Sequence, residues 1–309
     1  MIHNMQKLQE AAKKNGPLCV GLDTDASYVP EHIAKKYPSP AQAVLAYNKA
    51  IIERVKAENC AACFKVQAAY YEAMGLAGME AYAKTLSAVR EAGFVAISDV
   101  KRGDIAASAD AYARAHFEGD FETDIITVNP YMGFETLEPF FNYCKSAGKG
   151  FFVLLRTSNP GAADIEQKEL KEGGLVLDRV GAQLNKIKAE TDAIFGGQSC
   201  SPVGAVVGCT QQADAAAIRA AYPDIFFLIP GYGAQGGAAD ICGTLLQKAG
   251  GTVNSSRGIV CAYKKDPALQ EKIAAATLTL DDMASSALRA CLAAKKELTD
   301  FAAANGGGK

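Results

Sequence analysis

Two acids and a lysine in the run Asp99-Val100-Lys101-Arg102-Gly103-Asp104 are spaced so that they could do chemistry. The run closes the apolar stretch FVAISDVK (94–101), which reads as a β-strand. Residues two apart on a strand share a face, so Asp99 and Lys101 point to one side and Val100 to the other. A lysine beside carboxylates keeps its proton and stays in place. Asp104 lies beyond the strand and can reach back or outward. Lys65 in CFKVQ (63–67) and Asp23 at the end of LCVGLD (18–23) add a second cation and a further acid on the two preceding strands. A structural ion network closing the strand ends would use the same residue types. Charges at matching heights on three successive strands favour a reaction centre, because unpaired charges near an interior are costly and perturbed groups cluster at functional sites.

The elements that must position these groups are legible as apolar runs. LCVGLD (18–23), CFKVQ (63–67), FVAISDVK (94–101), IITVNP (125–130), FFVLLRTS (151–158), VGAVVGCT (203–210), IFFLIPGYG (225–233) and TVNSSRGIV (252–260) make eight. Most are continuously apolar rather than alternating, as parallel strands covered by helices are. Six amphipathic patterns lie between them, among them AQAVLAYNKAIIERVKAE, MEAYAKTLSAVREAG and LVLDRVGAQLNKIKAE, and several stop at Gly. The reading is a single-domain α/β fold, a (β/α)8 TIM barrel, with an N-terminal helix over 1–16, the barrel over about 17–265 and closing helices over about 266–304. NPGAADIEQKELKEGG (159–174) and FGGQSCSP (195–202) read as loop insertions. In this fold the active site lies at the C-terminal strand ends. There, Pro230 leads into the small-residue loop GYGAQGG, whose backbone N–H groups can approach an anion, and Ser255-Ser256-Arg257-Gly258 supplies a fixed positive charge suited to phosphate.

Composition narrows the classes further. The chain has 309 residues, 49% of them hydrophobic and 21% charged, with a formal net charge of -2. That apolar content excludes a disordered chain, and no run of about 18 apolar residues exists to span a membrane. The charge balance excludes an electrostatic nucleic-acid footprint. The N-terminus lacks the apolar core of a signal peptide, so the expected location is the cytoplasm. Nine scattered cysteines argue against a disulfide framework. Cys60 and Cys63 form a CxxC without the second pair that a zinc ribbon needs, and read as bystander thiols. His3, His32 and His116 have no metal-site spacing, so no metal site is expected.

DVKRGD resembles the Asp-x-Lys-x-x-Asp motif of the orotidine 5′-phosphate decarboxylase family. The resemblance extends through GLDTD, FKVQ, LLRTSNPGA, IPGYGAQGG and SSRG in the family's order, across roughly residues 18–265. NPYMG (129–133) and the chain length resemble the longer bacterial branch. The resemblance implies conversion of orotidine 5′-monophosphate to uridine 5′-monophosphate and CO2 in pyrimidine synthesis, with no metal or organic cofactor. It implies that Lys101 donates the proton to C6 and that Asp99 stands beside the departing CO2. Lys65 and Asp23 complete the charged array and hold the ribose hydroxyls. Asp104 belongs to a residue type that the family supplies across a homodimer interface, and Arg102 beside it is expected to approach the partner's site as well. Ser158 and Gln235 match the pyrimidine contacts, Gln235 lying also near the phosphate. Pro230 lines the base pocket, Arg257 binds the phosphate, and Asn129, where shorter members often carry His, is grouped with the substrate-binding positions. The expected partners are the nucleoside monophosphate substrate and a second copy of the chain, with no nucleic acid and no membrane. The alternatives are a Mg²⁺-dependent sugar-phosphate decarboxylase or aldolase of the same suprafamily, and a barrel that binds nucleotides without turnover.

Overall fold

Residues 1–208, 212–232 and 239–306 are described in the computed structural model of the chain. All eight apolar runs contain strands: β1 Leu18–Gly21, β2 Cys63–Gln67, β3 Val95–Arg102, β4 Ile125–Val128, β5 Gly150–Arg156, β6 Val203–Val207, β7 Phe227–Ile229 and β8 Gly251–Ser255. They pair in chain order and β8 returns to β1, which closes a parallel barrel. The (β/α)8 fold expected from the sequence is therefore the fold observed.

Six of the eight runs extend past the ends of their strands, and three of these ends are instructive. Gly208 follows β6 directly. Pro230 ends β7, since it has no N–H to continue a ladder. In the eighth run the apolar Ile259 and Val260 belong to a short helix, Arg257–Val260, and are buried there rather than in the sheet.

The helices of seven or more residues are α1 Asn4–Asn15, α2 Pro40–Glu58, α3 Gly75–Glu91, α4 Ala106–Phe117, α5 Glu138–Ala147, α6 Val176–Phe195, α7 Gln212–Ala221, α8 Ala239–Leu245 and α9 Leu280–Gly306. The sequence patterns did not include α4. It buries only Ala109, Ala113, His116 and Phe117, so its apolar stripe is thin and built of small residues. The 159–174 segment is mostly loop, as expected, but holds a short helix, Ala162–Ile165, and a bridge from Glu169 to Leu175.

Two packed layers hold the barrel. Outside the sheet, residues such as Val20, Phe64, Val66, Ile126 and Val253 meet the inward stripes of the helices. Inside it, Cys19, Cys63, Ile97, Ile125, Phe152 and Phe226 form a second cluster, which α1 plugs from below with Met5 and Leu8. His3 caps α1 by accepting a hydrogen bond from the Gln6 amide at 3.0 Å. Gly204 has no room for a side chain, because a Cβ there would lie 2.7 Å from the Phe152 ring. At the seam between β8 and β1, α9 packs on α2 and α8 and buries Met283, Ala287, Cys291 and Leu298. Interior filling therefore occupies the lower barrel and leaves the C-terminal end for polar groups.

Cys60 and Cys63 are buried free thiols, and Cys63 lies 3.6 Å from Thr252 Oγ1. Among the described residues no helix is long and apolar enough to cross a membrane.

Candidate active site

The ends of β1, β2 and β3 deliver four charges of alternating sign. Parallel pairing sets Gly21 beside Lys65 and Gln67 beside Asp99, so Asp23, two residues past Gly21, comes near the height of Asp99. The Lys65 ammonium lies 2.9 Å from Asp23 Oδ1 and 3.0 Å from Asp99 Oδ2. The Lys101 ammonium lies 2.6 Å from Asp99 Oδ1. Asp23, Lys65, Asp99 and Lys101 thus form one continuous chain of ion pairs.

Burial differs along this chain, and the difference has chemical meaning. Lys65 and Asp99 are only 4% and 6% exposed, whereas the Lys101 side chain is 45% exposed and faces the open mouth. Burial pushes the Lys65 pKa down, but the Asp99 and Asp23 carboxylates more than reverse this and hold it above the ordinary lysine value. Burial likewise pushes the Asp99 carboxyl up, while the Lys65 and Lys101 ammonium groups pull it well below the usual carboxylate range. Both groups are therefore ionised at neutral pH, and Asp99 cannot serve as a proton donor there.

The strand geometry around Lys101 is not the regular alternation that the spacing suggests. Between the pairs Ser98–Ile126 and Arg102–Val128, β3 carries two more residues than β4. Within this bulge Lys101 has φ 45°, in the left-handed region that residues with a Cβ avoid. Bulges commonly sit beside active sites, where they re-aim a side chain. Val100 still packs on the outer core, as expected.

Four further residues hold the array and were not foreseen. Gln67 Nε2 donates to Asp99 Oδ2 at 3.0 Å, and Thr127 Oγ1 donates to Asp99 Oδ1 at 2.9 Å. Ser256 Oγ donates to Asp23 Oδ2 at 2.7 Å and accepts from Asn254 Nδ2 at 3.0 Å. A Cβ at Gly21 would collide with Ser256 Oγ at 2.0 Å, so that contact depends on glycine. Period 2 gave a signal for two of them, since Gln67 follows Lys65 and Ser256 follows Asn254 by two positions.

The remaining expected residues are spread around the mouth. Ser158 and Pro230 bracket Gly208, where an added Cβ would lie 2.8 Å from Ser158 Cβ and 3.1 Å from Pro230 Cγ. Arg257 is exposed at the start of its short helix, and among the described residues it makes no ion pair. Asn129 lines a cavity of about 690 Å³ between the loops after β4 and β5, but its Oδ1 accepts from the Tyr131 amide at 3.0 Å. Asp104 stands apart from the quartet and accepts from the Ile105 amide at 2.8 Å. Gln235 lies outside the described residues. Arg102 lies 3.1 Å from Glu72 and is stacked over Tyr112. Beyond Ser158 the loop is stapled: Thr157 donates to Glu166 through its amide at 2.8 Å and its hydroxyl at 2.6 Å, and the buried Arg156 guanidinium lies 4.0 Å from both Glu166 and Asp214.

A closed parallel barrel that gathers buried, alternating charges at the C-terminal ends of its strands belongs to the TIM-barrel enzymes. Residues 16–271 match the family described as orotidine 5′-phosphate decarboxylase / HUMPS, and the chain belongs to that family. It is 49% identical over 262 residues to the orotidine 5′-phosphate decarboxylase of Clostridium tetani, covering 84% of this chain and 89% of the relative. To the same-named protein of Clostridium novyi it is 47% identical over 266 residues, covering 86% and 91%. Among solved structures, Leishmania donovani OMP decarboxylase superposes with a TM-score of 0.67 at 27% identity, covering 96% of this chain and 98% of that one. Leishmania donovani UMP synthase gives 0.70 at 30% identity, over 96% of this chain and 57% of that longer one. Fold and family both match what the motifs implied.

Proposed function

We propose that the barrel mouth decarboxylates orotidine 5′-monophosphate to uridine 5′-monophosphate, and that the Asp23–Lys65–Asp99–Lys101 chain is its reaction centre. Family membership and the decarboxylase relatives support the activity. The observation that carries the site is the half-exposed Lys101 ammonium held 2.6 Å from a buried, ionised Asp99.

The chemistry follows from that arrangement. The bond between C6 and the carboxylate carbon breaks, CO2 departs, and the electron pair stays on C6. No adjacent carbonyl delocalises that charge, so the ammonium of Lys101, aimed from outside the ring, stabilises it. Lys101 then transfers a proton to C6, forming the new C–H bond, and is reprotonated from solvent. Asp99 keeps Lys101 charged and oriented. Its negative charge also faces the substrate carboxylate, a lesser effect than the preorganised cation. Lys65 and Asp23 hold the ribose hydroxyls, Ser158 and Pro230 flank the pyrimidine, and Asn129 and Gln235 complete the binding set. Arg257, exposed at the strand 8 end, takes the phosphate, whose binding energy closes the mouth.

The metal-dependent alternative is disfavoured because Lys65 puts an ammonium between Asp23 and Asp99, where a divalent cation would be repelled. The working unit is a homodimer in which Asp104 completes the partner's site. Leu76, Ile105, Tyr131 and Met132 support this, being 91%, 54%, 78% and 48% exposed on the segments after β2, β3 and β4, the same end as Asp104. We read the chain as one catalytic domain acting in the cytoplasm on soluble nucleotides.

The test is release of CO2 from orotidine 5′-monophosphate with and without EDTA, for wild type and Lys101→Ala. Turnover by wild type in EDTA, lost in the variant while uridine monophosphate still binds, is the expected result. Loss of activity in EDTA would restore the metal-dependent alternative. Binding without turnover in wild type would mean a non-catalytic barrel.

A further inference from the structure

We infer that Thr127 is a positioning residue for the reaction, acting through Lys101 and Asp99 by filling the gap that the β3 bulge opens; this rests on the assignment of those two residues to the reaction centre. Thr127 sits on β4 and is 1% exposed. Its hydroxyl donates to Asp99 Oδ1 at 2.9 Å. The same oxygen accepts from the Val100 amide at 3.0 Å and from the Lys101 amide at 2.9 Å. A hydroxyl has one proton to donate and two lone pairs, and all three capacities are used.

The location explains why a side chain is needed. In a parallel ladder the amides of β3 would find carbonyl partners along β4. Between Ser98–Ile126 and Arg102–Val128 the ladder slips by two residues, and the Val100 and Lys101 amides lie inside the slip. Thr127 Oγ takes their hydrogen bonds. The conformation it holds is the left-handed one at Lys101, φ 45°, from which the ammonium reaches Asp99. One buried oxygen thus fixes both partners of the Lys101–Asp99 pair, the backbone of the first and the carboxylate of the second. Without the hydroxyl, two amides lose an acceptor and Asp99 loses one of its four hydrogen-bond donors, with Lys65, Gln67 and Lys101 remaining. The ammonium then has no reason to stay where C6 will be.

The test compares Thr127→Val, which keeps the β-branched shape and removes the hydroxyl, with Thr127→Ser, which keeps the hydroxyl. Single-turnover decarboxylation, KM and uridine monophosphate affinity are read for both, with Lys101→Ala alongside. A displacement of the reacting group by about 1 Å costs on the order of 100-fold, so Thr127→Val should lose about that factor in rate. KM and product affinity should stay within about threefold, since binding contacts are intact, and Thr127→Ser should regain most of the rate. The inference is overturned if Thr127→Val reacts at the wild-type rate, if Thr127→Ser is as slow as Thr127→Val, or if rate and affinity fall in parallel. If Thr127→Val does not fold, Thr127→Ala takes its place as the variant without hydroxyl, judged by the same outcomes. Lys101→Ala separates the two levels of the argument. Turnover retained in that variant removes the reaction centre itself, whereas an inactive Lys101→Ala beside a fully active Thr127→Val removes only the role of Thr127.

Discussion

Replacing Lys65 by Met should destabilise the protein by about 3 kcal/mol at neutral pH, near the lower edge of the roughly 3–5 kcal/mol range for breaking a buried ion pair. The figure follows from the geometry. Lys65 Nζ lies 2.9 Å from one carboxylate and 3.0 Å from another. At an effective dielectric constant of about 20, each contact contributes about 5–6 kcal/mol of attraction. Desolvating the ions offsets most of this, at several kcal/mol each, so the intact array adds little net stability. Removing the lysine alone is different, because its partners stay behind. Asp99 would remain buried with Lys101, Gln67 and Thr127 as donors, and the more exposed Asp23 would keep Ser256. These remaining partners are the reason for choosing the lower edge. The sign with pH can be worked out from Asp99. Its folded pKa is depressed, so its contribution is present above its unfolded value near 4 and is lost as pH falls through the folded value. Without Lys65 the carboxyl pKa rises, protonation relieves the unpaired charge, and the gap between variant and wild type narrows from pH 7 to pH 4. Urea unfolding followed by circular dichroism at both pH values measures the gap. Adding Asp23→Asn to Lys65→Met should recover part of the loss by removing one of the two stranded carboxylates. A loss below about 1 kcal/mol, the value of an ordinary surface pair, or a loss equal at both pH values, would refute the account of Lys65 as a buried hub.

Arg257→Ala should lower kcat/KM by about 100-fold, equivalent to about 2–3 kcal/mol for a lost charged hydrogen bond, without moving the melting temperature, because the side chain is exposed and makes no ion pair among the described residues; an unchanged kcat/KM would take Arg257 out of the phosphate site. Burial holds both His3 and His116 at a pKa of about 4, Arg102 adding to the effect at His116. The unfolded chain therefore binds more protons between pH 6.5 and 4, so stability should fall as pH drops through that window, by up to about 3 kcal/mol per histidine, and His116→Asn should flatten the urea-midpoint profile. A profile equally steep in that variant would contradict the assignment. Equal mixing of inactive Lys101→Ala and Asp104→Ala subunits should restore about a quarter of wild-type activity, since half of the dimers are hybrids with one intact site of two; no recovery after subunit exchange would mean that Asp104 is not shared.

The part of the site legible in the sequence is the part that obeys strand arithmetic. Asp23 closes the first run, and Lys65 and Asp99 lie within the second and third; a parallel barrel with β1, β2 and β3 adjacent must bring these runs side by side, so their convergence needed only the order of the elements. The helix α4 escaped because Ala109 and Ala113 give a weak periodic signal, although the chain needs a crossover between β3 and β4. Arg156, Glu166 and Asp214 come from a strand end, a loop and a helix, and no spacing announces their meeting. Thr127 was hidden for a deeper reason. Its role exists only because β3 abandons the alternation from which the Asp99–Lys101 pair was read, and a period-2 argument cannot foresee its own interruption. The interruption has a consequence for the chemistry. Asp99 accepts from Lys65, Gln67, Lys101 and Thr127, so its position is set before substrate arrives. Among the described residues, Lys65 spends two of its three ammonium donors inside the array, whereas Lys101 spends one and lies half-exposed at the open mouth. Within the bulge Lys101 pairs with a carboxylate that is already fixed, and its half-exposed ammonium is the most accessible cation of the array, the one that the proposed reaction brings to the substrate.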